Sequence, residues 1–265
     1  MMTDTPHSPP AWALHTDVDS DTVNLHLARL EALGLLGLAE VDGRTTVYVS
    51  RRDDSLPLRG RWEPVPDRDW NAEWRRSIQP VTVGAVTIVP PWLATGAAEE
   101  LVIEPAQAFG TGHHETTTGC LAALQELDLR GRAVLDVGSG TGVLAIAAAR
   151  LGADPVLAVD VDPLAVAATA ENASRNGVAV TVREGSVEAA GDAAFDVVVA
   201  NLDTATLTRL ADGLAAVTEP GGTLIASGVS NARCAEAEAA LRDAGFAVAS
   251  RRGAEWTLLT GRRSR

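Results

Sequence analysis

Three glycines at alternate positions lie between an apolar stretch and a stretch whose pattern is typical of a helix. Gly138, Gly140 and Gly142 belong to the stretch Asp-Val-Gly-Ser-Gly-Thr-Gly at residues 136–142. Glycine lets the backbone approach a ligand closely where a side chain would block it. About 20 residues further on, the next apolar run ends at Asp160, a carboxylate placed to accept hydrogen bonds from ribose hydroxyls. The spacing predicts a site for a cofactor that contains ribose.

The residues around these glycines distinguish two kinds of cofactor. A nicotinamide dehydrogenase needs glycine three positions after Gly140, where this chain has Val143. Asp136, two residues before the first glycine, could meet the amino acid portion of S-adenosylmethionine, directly or through water. A dinucleotide would place its pyrophosphate at the helix N-terminus instead. The pattern favours an S-adenosylmethionine-dependent methyltransferase, with a dehydrogenase and a glycine loop without a ligand as the alternatives.

A later apolar run ends in a polar residue that could act on a substrate. Residues 195–202 read Phe-Asp-Val-Val-Val-Ala-Asn-Leu. Ligands meet the carboxyl ends of strands in a doubly wound sheet, so Asn201 is expected to face the transferred methyl group as the candidate catalytic residue. Its amide oxygen can accept an N–H hydrogen bond from an amine and orient the nitrogen lone pair. The alternative is that Asn201 caps the next helix.

Glycines and hydroxyls are also dense in residues 104–118, which precede the glycine loop. They suit a loop that folds over a small polar ligand, with Glu115 or Thr116 beginning a helix. His113, His114 and Glu115 raise the question of zinc, but the zinc pattern would need histidine at position 118, which is threonine. We therefore expect no metal site.

With these residues in view, the chain resembles the methyltransferase family of ribosomal protein L-eleven (L11), known as PrmA. The stretches that carry the resemblance are residues 108–117, 136–142, 159–163, 199–202 and 253–256, with Asp69, Trp70, Trp74, Arg75, Arg76, Pro80, Pro91 and Trp92 upstream. The phenylalanine-glycine-threonine-glycine loop at residues 109–112 is the most specific of them. The likeness extends over residues from about 62 to 262.

The resemblance implies a cofactor site, a reaction and a substrate. The candidate cofactor-binding residues, from the motifs and the resemblance together, are Phe109, Thr111, Thr117, Asp136, Gly138, Gly140, Gly142, Asp160, Ser186 and Asn201. Ser186 stands where many class I enzymes have an adenine-binding acid, so adenine contact there could rely on the backbone. The implied reaction is methylation of lysine side chains and the N-terminal amine of ribosomal protein L11. The alternatives are methylation of another protein or small molecule, or a non-catalytic cofactor-binding factor in ribosome assembly.

Alternating strand and helix patterns position these residues. Strands are predicted at 133–137, 156–159, 178–183, 195–200 and 222–227, and an antiparallel pair at 246–250 and 256–260. Helices are predicted at 142–151 and from Pro163 to Asn176, where Gly177 ends the helix. Such alternation builds a parallel sheet with helices on both faces. Residues 96–265 are therefore predicted to form an α/β domain of the Rossmann-like, seven-stranded class I methyltransferase type.

The remaining residues predict a small domain and a connector. Residues 1–60 suggest an α+β unit, with a strand at 12–15, a helix that Asp19 or Ser20 caps and a hairpin at 36–49. The resemblance implies that this unit is ferredoxin-like and recognises the substrate, although its fourth strand cannot be placed. Residues 61–95 are expected to be a connector, with a helix that carries Trp70 and Trp74 and one strand at 83–89.

Composition excludes several function classes. All 22 basic residues are arginine, so the chain has no lysine for a Schiff base or a P-loop. The net charge of −13 argues against direct nucleic acid binding. It favours a basic partner such as a ribosomal protein, the alternative being that the acidity only keeps the protein soluble. Two cysteines cannot build a disulfide framework. No apolar run predicts a membrane span, and no signal peptide is evident, so we expect a cytoplasmic protein. A monomer is the default expectation, since the sequence leaves the oligomeric state open.

Overall fold

The computed structural model describes residues 11–18, 23, 26–41, 44–65, 78–105 and 114–264. Contacts divide the chain into two compact units, Met1–Ile78 and Gln79–Arg265. The division into residues 1–60, 61–95 and 96–265 stays a prediction, although residues 61–64 form part of a strand in the first unit. The predicted Trp70–Trp74 helix, the Asp19 or Ser20 cap and the turn at residues 42–43 lie outside the described residues.

The first unit contains a four-stranded antiparallel sheet. Its elements are β1 (Trp12–Thr16), α1 (Leu27–Ala32), β2 (Leu35–Val41), β3 (Arg44–Val49) and β4 (Gly60–Pro64). The strand order is β2-β3-β1-β4, which is the order of a ferredoxin-like unit. The predicted first strand and hairpin strands are confirmed, and the missing fourth strand is β4, which pairs with β1.

The connection from β3 to β4 contains turns where a ferredoxin-like unit has its second helix. Residues 50–59, all of them described, form no helix. Leu56 and Leu58 from this connection are buried against the same cluster as Leu14, Leu30 and Val47. Two leucines thus supply the apolar cover that a helix would otherwise give the sheet.

The second unit is built on a seven-stranded sheet. Its strands are β8 (Val134–Val137), β9 (Val156–Asp160), β10 (Thr181–Glu184), β11 (Phe195–Asn201), β12 (Thr218–Ser230), β13 (Phe246–Arg252) and β14 (Trp256–Arg263). The order is β10-β9-β8-β11-β12-β14-β13. The first five strands in this order are parallel, and β14 is antiparallel to both of its neighbours. The predicted class I methyltransferase fold is confirmed.

Helices cover both faces of this sheet. They are α2 (Glu115–Gln125), α3 (Val143–Arg150), α4 (Pro163–Arg175), α5 (Thr204–Val217) and α6 (Cys234–Asp243), with 3-10 turns at Pro91–Leu93, Val187–Ala190 and Asn231–Arg233. Alternate residues of β11 enter different cores: Val197 and Val199 pack with α2 and α3, whereas Val198 and Ala200 pack with α5 and α6. Burial on both faces explains why the central strands β8, β9 and β11 are mainly apolar, whereas the edge strand β10 is largely exposed and polar.

A small three-stranded sheet precedes α2. It consists of β5 (Val81–Val83), β6 (Val86–Val89) and β7 (Glu100–Val102), in the order β5-β6-β7. The prediction of one strand at residues 83–89 was wrong, because a turn at residues 84–85 folds this stretch into an antiparallel hairpin. Val86, Ile88 and Leu101 join the core that α2 and α3 cover. No helix formed by the described residues is long and apolar enough to cross a membrane.

Candidate active site

A cavity of about 730 Å³ opens at the carboxyl ends of strands β8, β9, β10 and β11. This volume lies within the range of about 300–1,000 Å³ that is usual for small-molecule sites. The polar and glycine residues of its wall include Thr116, Thr117, Gly138, Ser139, Gly140, Asp160, Asp162, Gly185, Ser186, Asn201, Asp203, Thr206, Arg209 and Gly228. The topology thus gathers the ends of four neighbouring strands around one space.

Most of the described candidate residues meet at this cavity. Its wall contains Thr117, Gly138, Gly140, Asp160, Ser186 and Asn201. Asp136 and Gly142 lie beside the wall residues in sequence but are not part of the wall. Phe109 and Thr111, like His113, lie outside the described residues, so their predicted roles stay predictions.

The glycine loop takes a backbone conformation that only glycine adopts readily. Gly138, Gly140 and Gly142 have φ angles of 75°, 56° and 79°. A Cβ atom at Gly138 would also lie 2.5 Å from Cδ2 of Leu202, which is far inside contact distance. The backbone N–H of Gly138 donates to the Val159 carbonyl oxygen at 2.9 Å, so the loop is fixed to the neighbouring strand β9.

Side chains of α4 hold the other side of the loop. The Thr169 hydroxyl donates to the Gly140 carbonyl oxygen at 3.0 Å, and the Asn172 side-chain amide donates to the Thr141 carbonyl oxygen at 3.0 Å. Both side chains are buried. The loop conformation is therefore formed by the protein's own hydrogen bonds, and a ligand meets a wall that is already shaped.

Asp160 is held in a fixed orientation at the end of β9. Its Oδ2 accepts the backbone N–H of Gly140 at 2.8 Å, and its Oδ1 accepts the backbone N–H of Asp162 at 3.0 Å. Each carboxylate oxygen has a further lone pair. The two oxygens can therefore still accept hydrogen bonds from a pair of hydroxyls, as the sequence predicts for ribose.

Asp136 is buried beneath the loop and only 1% exposed. Its Oδ2 accepts the backbone N–H of Ala145 at 3.0 Å in the first turn of α3, and its Oδ1 has no hydrogen-bond partner among the described residues. Burial, and next the charge of Asp160, raise the pKa of Asp136 to about 7. Asp136 thus supports the loop and the N-terminus of α3 from below.

The Asn201 side chain is held by α2 and not by the helix that follows it. Its Nδ2 donates to Oγ1 of Thr117 at 3.3 Å, and its Oδ1 makes no hydrogen bond with a described residue. Helix α5 is capped by Asp203, which accepts the backbone N–H groups of Ala205 and Thr206 at 2.9 and 3.1 Å. The helix-cap alternative for Asn201 is therefore excluded, and within the described part of the chain its amide oxygen has no hydrogen-bond partner.

His114 and Trp256 form the part of the wall beside Thr117. The His114 ring caps α2, with Nδ1 lying 2.8 Å from Oγ1 of Thr116. The ring also meets the Trp256 ring edge-on, with the ring centres 5.1 Å apart. These contacts give His114 a structural role at the start of α2.

The wall also contains residues outside the predicted motifs. Thr206 and Arg209 line the cavity but belong to none of them. These two residues are three positions apart on α5 and therefore share one helix face. Asp203 is typical of a helix N-cap, and it follows the end of β11 at the same edge of the sheet. A helix predicted to start there would have placed Thr206 and Arg209 beside the cavity.

The fold and the site together define a class I methyltransferase. The family model described as Ribosomal protein L11 methyltransferase (PrmA) matches residues 29–264. The chain is 41% identical over 262 residues to the ribosomal protein L11 methyltransferase of Deinococcus radiodurans, covering 92% of this chain and 96% of that protein. The chain therefore belongs to the ribosomal protein L11 methyltransferase family.

Two further relatives agree with this assignment. The ribosomal protein L11 methyltransferase of Thermus thermophilus is 41% identical over 229 residues, which are 85% of this chain and 89% of that protein. The crystal structure of a ribosomal protein L11 methylase from Lactobacillus delbrueckii subsp. bulgaricus is similar with a TM-score of 0.66 at 30% identity, covering 71% of this chain and all of that chain.

Proposed function

We propose that the protein transfers methyl groups from S-adenosylmethionine to lysine side chains and the N-terminal amine of ribosomal protein L11. The observation that carries the proposal is the Asn201 amide. Its Nδ2 is bound by Thr117 and its Oδ1 is unpartnered among the described residues, in the same cavity wall as Asp160 and the glycine loop. Membership of the ribosomal protein L11 methyltransferase family supports the choice of substrate.

The residues of the wall suit this cofactor part by part. Asp160 would accept the ribose hydroxyls, the backbone at Gly138 and Gly140 would lie against the amino acid portion, and Ser186 would lie near the adenine. Gly138 and Gly140 both line the cavity and have no side chain, which fits a ligand that packs closely on the loop. When bound, S-adenosylmethionine supplies a methyl group that its sulfonium already activates.

The protein's own task is then to place a neutral amine. A free lysine side chain has a pKa near 10.4, and removal from water favours its uncharged form. The Asn201 Oδ1 can accept an N–H hydrogen bond from the amine and so orient its lone pair. Because Thr117 binds the Asn201 Nδ2, the amide oxygen is the atom that would accept the hydrogen bond from an amine. Positioning of this kind contributes a large part of the rate in displacement reactions.

Substrate recognition is assigned to the first unit in this proposal. The ferredoxin-like order of its strands fits the domain that the family resemblance implies for this task. The net charge of −13 favours a basic ribosomal partner. Such a substrate would be met in the cytoplasm, and we expect a monomeric enzyme.

Transfer of a radiolabelled methyl group from S-adenosylmethionine to purified large-subunit ribosomal proteins tests the proposal. Label in ribosomal protein L11 is the expected result. Label in another protein would show that the substrate is a different ribosomal protein. No label at all would contradict methyl transfer and favour a cofactor-binding assembly factor. In the Asn201→Ala variant we expect label to enter about a hundredfold more slowly, a much larger effect than the change in cofactor affinity.

A further inference from the structure

Glu115, the first residue of helix α2, joins two distant segments of the second unit. Its Oε1 accepts the backbone N–H of Ala254 at 2.7 Å, and its Oε2 accepts the backbone N–H of Glu255 at 3.3 Å. Both N–H groups belong to the turn between β13 and β14. We call this pair of hydrogen bonds the Glu115 clamp. Carboxylates that accept backbone N–H groups form hydrogen bonds about twice as strong as neutral ones.

The turn is shaped to receive this carboxylate. A Cβ atom at Gly253 would lie 1.7 Å from Oε1 of Glu115, so no other residue fits there without moving Glu115. On the other side of the turn, the Asn231 side-chain amide donates to the carbonyl oxygens of Gly253 and Ala254, both at 3.2 Å. The turn is thus anchored through its N–H groups by Glu115 and through its carbonyl groups by Asn231.

The clamp lies directly behind the wall of the cofactor cavity. Glu115 is itself outside that wall, but its two neighbours in the sequence, His114 and Thr116, belong to it, as does Trp256 after the turn. Thr117, one residue further along α2, accepts the hydrogen bond from Asn201 Nδ2. A shift of the first turn of α2 would therefore move the group that orients Asn201.

We propose that Glu115 is a positioning residue for methyl transfer. The Glu115 clamp fixes the start of α2 against the β13–β14 turn, and α2 in turn fixes Thr117 and the amide of Asn201. This inference rests on the proposed function in one respect: the reaction that Glu115 assists is the proposed methyl transfer. The geometric claim, that Glu115 sets the orientation of Asn201, is independent of the substrate.

Glu115→Asp is the sharpest variant. Aspartate keeps a negative charge in the first turn of α2, where charge favours the helix, but it is one methylene too short to reach the turn. We expect kcat to fall about tenfold or more, with the KM for S-adenosylmethionine changed less than about threefold. Glu115→Gln keeps the length and one acceptor oxygen, and should restore part of the lost kcat.

Glu126→Asp is the matched control. Glu126 follows the last residue of the same helix and pairs with Arg251 of the same hairpin at 3.2 Å. The control therefore weakens a contact between the same two elements, and its pair is solvent-exposed. We expect its kcat and KM to stay within about twofold of the wild type.

Two readouts separate positioning from a loss of general stability. In an Asn201→Ala background, Glu115→Asp should lower kcat no further, because the group that it positions is gone. An equal fall in both backgrounds would overturn the proposal. The side-chain amide signals of Asn201 in NMR spectra, identified by their loss in Asn201→Ala, should shift in Glu115→Asp and stay in place in Glu126→Asp.

The NMR readout also keeps the two proposals apart. A wild-type protein that transfers no methyl group would contradict the proposed function, yet the Asn201 amide signals would still decide whether Glu115 orients that side chain. Signals that do not respond to Glu115→Asp would overturn the positioning role, even with full activity in the wild type.

Discussion

At the scale of single residues, the two carboxylates of the site do different work because they differ in burial. Asp160 lies in the cavity wall with both oxygens bound by backbone N–H groups, whereas Asp136 is buried with one oxygen unpartnered among the described residues. The sequence identified both acids, since Asp136 lies two residues before the glycine loop and Asp160 ends the apolar run of β9. It could not show which of them faces the cavity, because that depends on where the loop between them folds.

Asp136→Asn tests the effect of burial on that carboxylate. Because its pKa is raised from 3.8 to about 7, the folded chain keeps a proton that the unfolded chain releases. This group's contribution to stability is full below about pH 4 and is lost as the pH rises to about 7. Asparagine does not ionise, so the variant does not lose this stability. The free energy of unfolding of the variant minus that of the wild type should therefore increase by about 1.4 kcal/mol for each pH unit from about pH 5 to 7. Urea unfolding at several pH values measures the difference, and a constant difference would contradict the raised pKa.

At the scale of elements, the buried strands were the most predictable part of the fold. The run at residues 195–200 became β11 with one more residue, because burial on both faces favours apolar side chains, which occupy every position of the run except Asp196. The hairpin of β5 and β6 was missed, since its apolar residues continue across the turn at Gly84 and conceal it. Likewise, β4 has Trp62 as its one large apolar side chain and ends in Pro64, so its place in the sheet comes from pairing with β1 and not from its own pattern.

Gly138→Ala tests the glycine loop as an element. The positive φ angle of 75° and the approach to Leu202 both oppose a side chain, so we expect cofactor affinity to fall about tenfold or more. Gly177→Ala is the control. This glycine has a φ of 63° at the end of α4, and no atom lies within 4 Å of the added Cβ. Alanine there introduces the same backbone strain, but it touches no neighbouring side chain and lies outside the cavity wall. Calorimetry should show unchanged affinity for Gly177→Ala, at a cost in stability of about 1 kcal/mol. Equal affinities for the two variants would contradict a steric role for Gly138.

At the scale of the whole molecule, charge and family membership point to the same kind of partner. The sequence predicted the methyltransferase fold and the family, because the residues that carry the resemblance extend through most of the second unit. It predicted less of the first unit, where residues 50–59 replace a helix by turns that bury Leu56 and Leu58. Whether a helix or turns cover this part of the sheet depends on tertiary packing, so the local sequence pattern does not predict it.

The net charge of −13 predicts a salt-dependent encounter with a basic ribosomal substrate. The kcat/KM for ribosomal protein L11 should fall about tenfold as NaCl rises from about 0.05 to 0.5 M, while kcat changes little. Salt screens the long-range attraction between the two proteins, but it does not affect methyl transfer within the bound complex. Binding of S-adenosylhomocysteine, a zwitterion without net charge, serves as the control and should respond weakly. A kcat/KM that does not respond to salt would show that charge plays no part in the encounter.

The cavity at the carboxyl edge of the sheet is the centre of the account, and its ligand can be tested without any substrate protein. Isothermal titration of S-adenosylhomocysteine should show one molecule bound per wild-type chain. For Asp160→Ala, with circular dichroism confirming the fold, binding should be at least about tenfold weaker, since charge-assisted hydrogen bonds are lost. A folded wild-type protein that takes up none of this nucleoside would contradict the account.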